Sequence, residues 1–291
     1  RASEFLSACL FQRQDVAKAA HHVELVVPEN VLTTGGTSLG AVSTEQSRLA
    51  LMTGFTVAFP WAVRPHGTVS GGTPNMRVLP AGVAGVDAQD WFVNVIESKD
   101  GSFSLEDAVR EMRTRGVLGG DNISDPDAGV FQSDTGEIVM RSREHLLKVR
   151  TLRTEAVTLE AGKSELVGVL AVENSSVPAC IAVCSVTAEP LAKSKRIVLI
   201  YSTEMVNTDM VVGYDRRLMK DTGKSPALMR CGRLTATLTC ADPGRFSLHA
   251  LGFDGTRREQ LALTCAGDRL RIDIDTGTLA NGPTPLFELV R

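Results

Sequence analysis

The sequence predicts an α/β plus all-β chain: a small α/β domain followed by an antiparallel β-sandwich. Three observations lead there. His22-Val-Glu-Leu-Val-Val27 and Phe55-Thr-Val-Ala-Phe59 are apolar, extended runs on either side of a helical stretch. A strand–helix–strand unit of that kind makes a parallel pair. From about residue 130 onward, short runs with period-two alternation follow one another between turn signals, the pattern of a sandwich. Between the two regimes lies Phe131-Gln-Ser-Asp-Thr-Gly-Glu-Ile-Val-Met-Arg141. There Asp134-Thr135-Gly136 reads as a tight turn, because Gly136 tolerates the positive φ that such a turn needs.

The chain opens on Ser3-Glu-Phe-Leu-Ser-Ala-Cys-Leu-Phe11, an amphipathic helix with Phe5, Leu6, Cys9 and Leu10 on one side. The stripe is expected to be an orphan of this chain, only partly packed. After the strand at 22–27, a Gly-rich loop leads to Ser43-Thr-Glu-Gln46, a capping box that starts a helix ending near Thr53. Residues 60–85 are a Pro- and Gly-rich loop. Residues 90–96 fit either helix or strand, and Ser104-Leu-Glu-Asp107 starts a capped helix that ends before Gly116. Residues 121–129 are rich in Asp, Pro and Gly and read as a linker.

Strands are then predicted at 145–151, 156–159, 166–172, 179–186, 196–202 and 286–290. In the tail, Leu234, Ala236, Leu238 and Cys240 face one way, as do Phe246, Leu248 and Ala250. Leu261, Leu263 and Cys265 follow, then Leu270, Ile272 and Ile274. Leu234, Leu238, Phe246, Leu248, Leu270, Ile272 and Phe287 are assigned to the sandwich interior.

Composition excludes some function classes. A net charge of −3 leaves no basic footprint for nucleic acid. An aromatic content of 5% argues against a sugar-binding platform of stacked rings. The apolar run at 177–186 is about half of what spans a bilayer. The chain starts at Arg1 with no signal-peptide pattern, and it is expected to continue a protein that begins upstream. Its compartment is left unknown, with free thiols leaning towards a reducing one. Of the six cysteines, Cys180 and Cys184 lie about 13 Å apart along one strand face, too far for a disulfide. Cys240 and Cys265 alternate with apolar residues and are expected as buried free thiols.

Several motifs suggest chemistry and fail on context. Asp134-Thr135-Gly136 and Asp275-Thr276-Gly277 match the paired loops of aspartic proteases, but only 14 residues follow the second triplet. Gly36-Thr-Ser-Leu-Gly40 matches the nucleophile pattern of serine hydrolases, yet Ser38 lies deep in a loop. His66, His145 and His249 are the candidate bases for that alternative. His21-His22 point to opposite faces of a strand. Asp121, Asp125 and Asp127 offer carboxylates for calcium, against ordinary turn chemistry. No dinucleotide fingerprint occurs at Gly35-Gly36 or Gly71-Gly72. No catalytic, cofactor-binding or metal-ligating residue is therefore expected in this chain.

The stretch Ala2-Ser-Glu-Phe-Leu-Ser-Ala-Cys-Leu-Phe-Gln-Arg-Gln-Asp-Val-Ala-Lys-Ala-Ala20, followed by the strand at 22–27, resembles the exit from a glycoside hydrolase barrel into the next domain. Phe131-Gln-Ser-Asp-Thr-Gly-Glu-Ile138, Val149-Arg-Thr-Leu-Arg-Thr154 and Asn281-Gly-Pro-Thr-Pro-Leu-Phe-Glu-Leu289 are similar to accessory β domains of large bacterial β-galactosidase-like enzymes. That family runs from a (β/α)8 barrel through a Rossmann-like α/β domain to a β-sandwich. The resemblance implies three segments: a terminal barrel helix at 1–21, a Rossmann-like domain at 22–129 and a sandwich at 130–291. It places the two catalytic glutamates on barrel strands before Arg1, so no catalytic residue carries over. It implies a non-catalytic region supporting the barrel, its cleft rim or oligomer contacts. The expected partners are the upstream barrel, carbohydrate and a second copy of the chain, with no nucleic acid and no membrane. The alternatives are a stand-alone carbohydrate-binding or surface-interaction sandwich, with Trp61 or Trp91 as its candidate contacts, and a serine hydrolase using Ser38.

Overall fold

The computed structural model describes residues 2–17, 21–26, 48, 51–58, 77–79, 92–97, 105–114, 116–213 and 219–291. Its contacts divide the chain into two units, residues 17–143 and residues 1–16 together with 144–291. The chain begins with α1 (Ala2–Ser7), which passes into a π-helical turn, Ala8–Gln12.

In the unit of residues 17–143, β1 (His21–Val26) runs parallel to β2 (Gly54–Ala58), as the strand–helix–strand pattern predicts. β3 (Arg77–Leu79) is antiparallel to β4 (Phe92–Glu97), and β4 lies parallel to β1 on its other side. The sheet order is β2-β1-β4-β3. The described part of the ambiguous run at 90–96, from Phe92, is thus a strand. α2 (Leu105–Thr114) carries Glu106 and Asp107 in its first turn and Arg113 in its last, which suits the helix dipole. Gly116 follows at φ 74, where a glycine ends a helix without strain.

Leu105, Val109 and Met112 share one face of α2 and pack with Met52, Val117, Leu118 and Phe131. β5 (Val130–Gln132) and β6 (Ile138–Arg141) form a hairpin around Gly136, whose φ is 75. The Arg48 guanidinium stacks over the Phe131 ring, 5.1 Å from its centroid. The Asp134 N–H donates to Met52 O at 2.7 Å. Through Phe131 the hairpin packs into this cluster, within the unit of residues 17–143.

The other unit is β-sandwich-like, and every strand pairing within it is antiparallel. Its strands are β7 (Leu146–Arg150), β8 (Thr154–Leu159), β9 (Glu165–Leu166), β10 (Leu170–Ser175), β11 (Ala179–Ser185) and β12 (Arg196–Ser202). Then come β13 (Met205–Thr208), β14 (Val211–Val212), β15 (Met219–Asp221), β16 (Lys224–Met229) and β17 (Arg233–Thr239). β18 (Ser247–Leu251), β19 (Arg257–Leu261), β20 (Thr264–Ala266), β21 (Arg269–Asp275) and β22 (Leu286–Val290) complete it. One sheet runs β19-β18-β22-β12-β11-β8-β7 and the other β20-β21-β17-β10-β9.

Ile181, Leu199 and Phe287 from the first sheet meet Leu234, Leu238 and Ile272 from the second in one core. All seven residues assigned to the interior are buried. β17 and β21 alternate buried and solvent-facing residues, because only one of their faces meets the other sheet. β11 and β12 are buried along nearly their whole length. Their second face includes Ala182, Cys184, Val198 and Ile200, which lie outside the core shared by the sheets. α1 lies against β12, and Cys9 and Leu10 of the π-turn are buried. The N-terminal stripe is therefore not left open, in contrast to the expected orphan helix. Phe5 and Leu6 are half-buried, and Phe11 faces solvent.

Three further differences have local causes. The strand predicted at 166–172 is a hairpin, β9 to β10. The Glu155 carboxylate accepts the N–H groups of Val169 and Leu170 at 3.0 and 2.8 Å and so fixes the turn. A Cβ on Gly168 would run into the Glu155 carboxylate, which would then have to shift from its place in the turn. Cys240 is buried as expected, but Cys265 is exposed, because β20 is a three-residue edge strand with every residue exposed. Residues 205–229 form two-stranded ribbons, β13 with β16 and β14 with β15. Of the eleven exposed large apolar side chains among the described residues, six lie there: Met205, Val206, Val211, Val212, Met219 and Leu228.

Truncating a fully buried side chain at the centre of the sandwich tests this packing. Leu248→Ala is expected to lower the unfolding free energy by about 2–5 kcal/mol in chemical denaturation. A change within about 0.5 kcal/mol would place Leu248 at the surface.

Candidate functional site

The densest buried polar cluster in the described residues forms where the N-terminal segment meets the sandwich. Its scaffold is the turn from β7 to β8. Thr151 Oγ1 accepts the Thr154 N–H and donates to Thr154 O, both at 2.9 Å. That closes the turn and presents Arg153 and Thr154. Ser185 N–H donates to Arg153 O at 2.8 Å, which ties the turn to the end of β11.

Onto this turn comes Asp15, whose side chain is completely buried. Arg13 Nε donates to Asp15 Oδ1 at 2.9 Å, and Arg13 Nη2 donates to Oδ2. Arg153 Nη2 lies 2.7 Å from Oδ1, and Thr154 Oγ1 donates to Oδ2 at 2.6 Å. Arg13 Nη1 also donates to Ser185 O. Burial by itself would raise the Asp15 carboxyl. The hydrogen bonds from Arg13 and Thr154, with the charges of Arg13 and Arg153, outweigh it and hold the group below the usual carboxylate range. The cluster contains two cations and one carboxylate, and both guanidiniums keep about a quarter of their surface in water. It is a clamp: a carboxylate this well paired is a poor proton donor.

Cys9 and Cys184 lie in the same region, where each thiol shifts the other's pKa. Elsewhere in the unit, Glu288 is buried between Arg196 and Arg257. Arg257 Nε donates to Oε2 at 2.6 Å, and Arg196 Nε donates to Oε1. Burial pushes Glu288 up, but these two arginines bring it below its ordinary value.

Among the described residues, those singled out in the sequence do not form a site. Ser38, His66, Trp61 and Trp91 lie outside the described residues, as do Gly36, Gly40 and the capping box. His145, at φ 52, faces solvent and contacts Glu160 at 3.1 Å. His249 Nε2 is 3.1 Å from Ser247 Oγ. His21 and His22 are consecutive residues of β1. Asp125 accepts the Ala128 N–H at 3.0 Å, while the backbones of Asp125 and Val130 exchange hydrogen bonds, which is turn chemistry. Among the described residues, no group of three or more His, Cys, Asp or Glu side chains is placed to hold a metal ion.

The two Asp-Thr-Gly triplets fall in different units and are both turns. Asp275 pairs with Arg233 at 2.8 Å and accepts the Gly277 N–H at 3.0 Å. Thr276 is buried, and its Oγ1 accepts the Gly232 N–H at 2.9 Å and faces Gly232 O at 3.1 Å. That triplet fastens the end of β21 to the start of β17.

The clamp went unread in the sequence because its members are 140 positions apart, as the Arg153–Arg13 bond illustrates. One signal was present. Arg13-Gln-Asp15 follows directly on an amphipathic helix, and β11 and β12 read as continuously apolar, the mark of strands covered on both faces.

Asp15→Asn is expected to cost about 3 kcal/mol at neutral pH. That is the low end for breaking a buried ion pair, since both arginines reach water. Because the folded pKa of Asp15 is depressed, its contribution is complete above the unfolded carboxyl value, about 4, and is lost as the pH falls through the folded value. The difference between wild type and variant, followed by urea unfolding, should therefore shrink below about pH 4. A difference that stays constant down to strongly acid pH would contradict the clamp. Comparison of the chain with protein-family models finds no match, and comparison with curated proteins finds none.

Proposed function

We propose that this chain is a non-catalytic, C-terminal accessory region of a carbohydrate-active glycoside hydrolase, with a Rossmann-like α/β unit and a β-sandwich. The observation that carries the accessory role is the use made of the buried carboxylates. A glycosidase needs one carboxylic acid that still holds its proton near neutral pH and a second carboxylate facing it across the bond. Asp15 and Glu288 are instead paired with two arginines each and held in the ionised form. Glu155 is occupied by two backbone N–H groups. These groups fasten structure, and the exposed apolar ribbon supports a contact-making role.

Parentage rests on the family resemblance, and the resembling stretches have structural work in this fold. The stretch at 131–138 makes the hairpin whose Ser133 Oγ accepts the Ile138 N–H at 3.1 Å. The stretch at 149–154 makes the Arg153–Thr154 turn of the clamp. In the stretch at 281–289, Thr284 Oγ1 donates to Leu251 O at 2.8 Å and leads into β22. No observation favours the serine hydrolase or the stand-alone sugar-binding module, whose Ser38, Trp61 and Trp91 lie outside the described residues.

Two measurements test the proposal. The purified chain is expected to show no turnover on a panel of aryl glycosides, and activity surviving stringent purification would overturn the accessory role. The coding sequence upstream of the Arg1 codon is expected to specify a (β/α)8 barrel with two glutamates at strand ends. An upstream region without one would overturn the parentage.

A further inference from the structure

The clamp lays the π-turn over one cysteine of the sandwich. Cys184 in β11 pairs across the sheet with Thr154 in β8. Thr154 Oγ1 is the hydroxyl that bonds Asp15, and Arg13 donates to the carbonyl of Ser185, the residue after Cys184. The same N-terminal segment carries Cys9, buried at 5% exposure, against Cys184 at 0%. They are close enough for each thiol to shift the other's ionisation, and both are free. Neither is used by anything described above.

We propose that Cys9 and Cys184 form a dithiol–disulfide pair oxidised by a hydroperoxide, the disulfide stapling the N-terminal segment to β11. Cys9 is the nucleophile. The hydrogen bond from Cys184 is the main cause that brings its pKa down to about 7, and Arg13 and Arg153 add to it against burial. Cys184 is pushed up by the same hydrogen bond and by burial, so it keeps its proton. The Cys9 thiolate attacks one oxygen of the peroxide. An S–O bond forms, the O–O bond breaks, and the departing oxygen leaves as water or an alcohol once protonated. The Cys184 sulfur then attacks the Cys9 sulfur and displaces the hydroxyl, which leaves as water with the Cys184 proton. Two thiols and one peroxide have become one disulfide, and an external dithiol reverses it. Cys180 lies about 13 Å from Cys184 along the strand and is out of reach of the same partner.

The test uses the full folded chain, reduced and then treated with hydrogen peroxide, alkylated and digested with trypsin without reduction. The expected product joins the peptides of residues 2–13 and 164–193, with the loss of two hydrogen masses, and is dissolved by dithiothreitol. Fragmentation should place the link at Cys184, and it should persist in Cys180→Ser and vanish in Cys184→Ser. The wild-type fragmentation decides the matter even if Cys184→Ser does not fold. A link to Cys180, or oxidation confined to the exposed Cys231 and Cys265 while Cys9 remains alkylatable, would overturn the proposal.

Discussion

A carboxylate with no exposed surface survives in a folded protein only where cations and hydrogen-bond donors replace the water it has lost. Asp15 meets that condition with Arg13 from its own segment and with Arg153 and Thr154 from the β7–β8 turn. The rest of the sandwich unit depends on this junction. It draws residues 1–16 into the same unit as residues 144–291, so the chain visits the sandwich, leaves for the α/β unit and returns. It also holds a helix against β12.

The same economy of polar groups runs through the sandwich. Glu155 shapes the β9–β10 turn, Glu288 joins Arg196 and Arg257, and Thr276 joins two strand ends. Tyr201, fully buried, contacts Ser175 Oγ at 3.0 Å and donates to Arg233 O at 3.2 Å. A Cβ on Gly232 would meet the Tyr201 hydroxyl at 2.5 Å. These buried polar groups are thus spent on fixing turns and strand ends, and left unpaired they would be costly. Chemistry needs the reverse, a group whose pairing changes during the reaction. That contrast supports an accessory role for the described part of the chain.

Much of the fold was legible because strand burial is a local, period-two property. Leu234, Leu238, Leu270 and Ile272 announce the face they bury without reference to any distant residue. Gly136 and Gly162 announce turns for the same reason, each sitting at positive φ. What escaped depended on partners far away in sequence. The stripe of Phe5, Leu6, Cys9 and Leu10 marked a helix face but not the sheet that covers it. Asp15 carries no local sign of burial, because Arg153 and Thr154 come from far along the chain. Cys265 shared the alternation of core residues but sits on an edge strand, where alternation no longer implies burial. The ribbon at 205–229 escaped because its apolar residues face solvent, so pattern and burial part company there.

The central claim is that the N-terminal segment is an integral part of the sandwich. Residue-resolved hydrogen exchange on the folded chain tests it most directly. The amides of Arg13, Asp15 and Val16 bond to the carbonyls of Ala8, Cys9 and Leu10. They are predicted to exchange as slowly as those of β8 and to lose that protection selectively in Asp15→Asn. Rapid exchange of these amides in the wild type, with β8 and β11 still protected, would show a frayed helix and contradict the account.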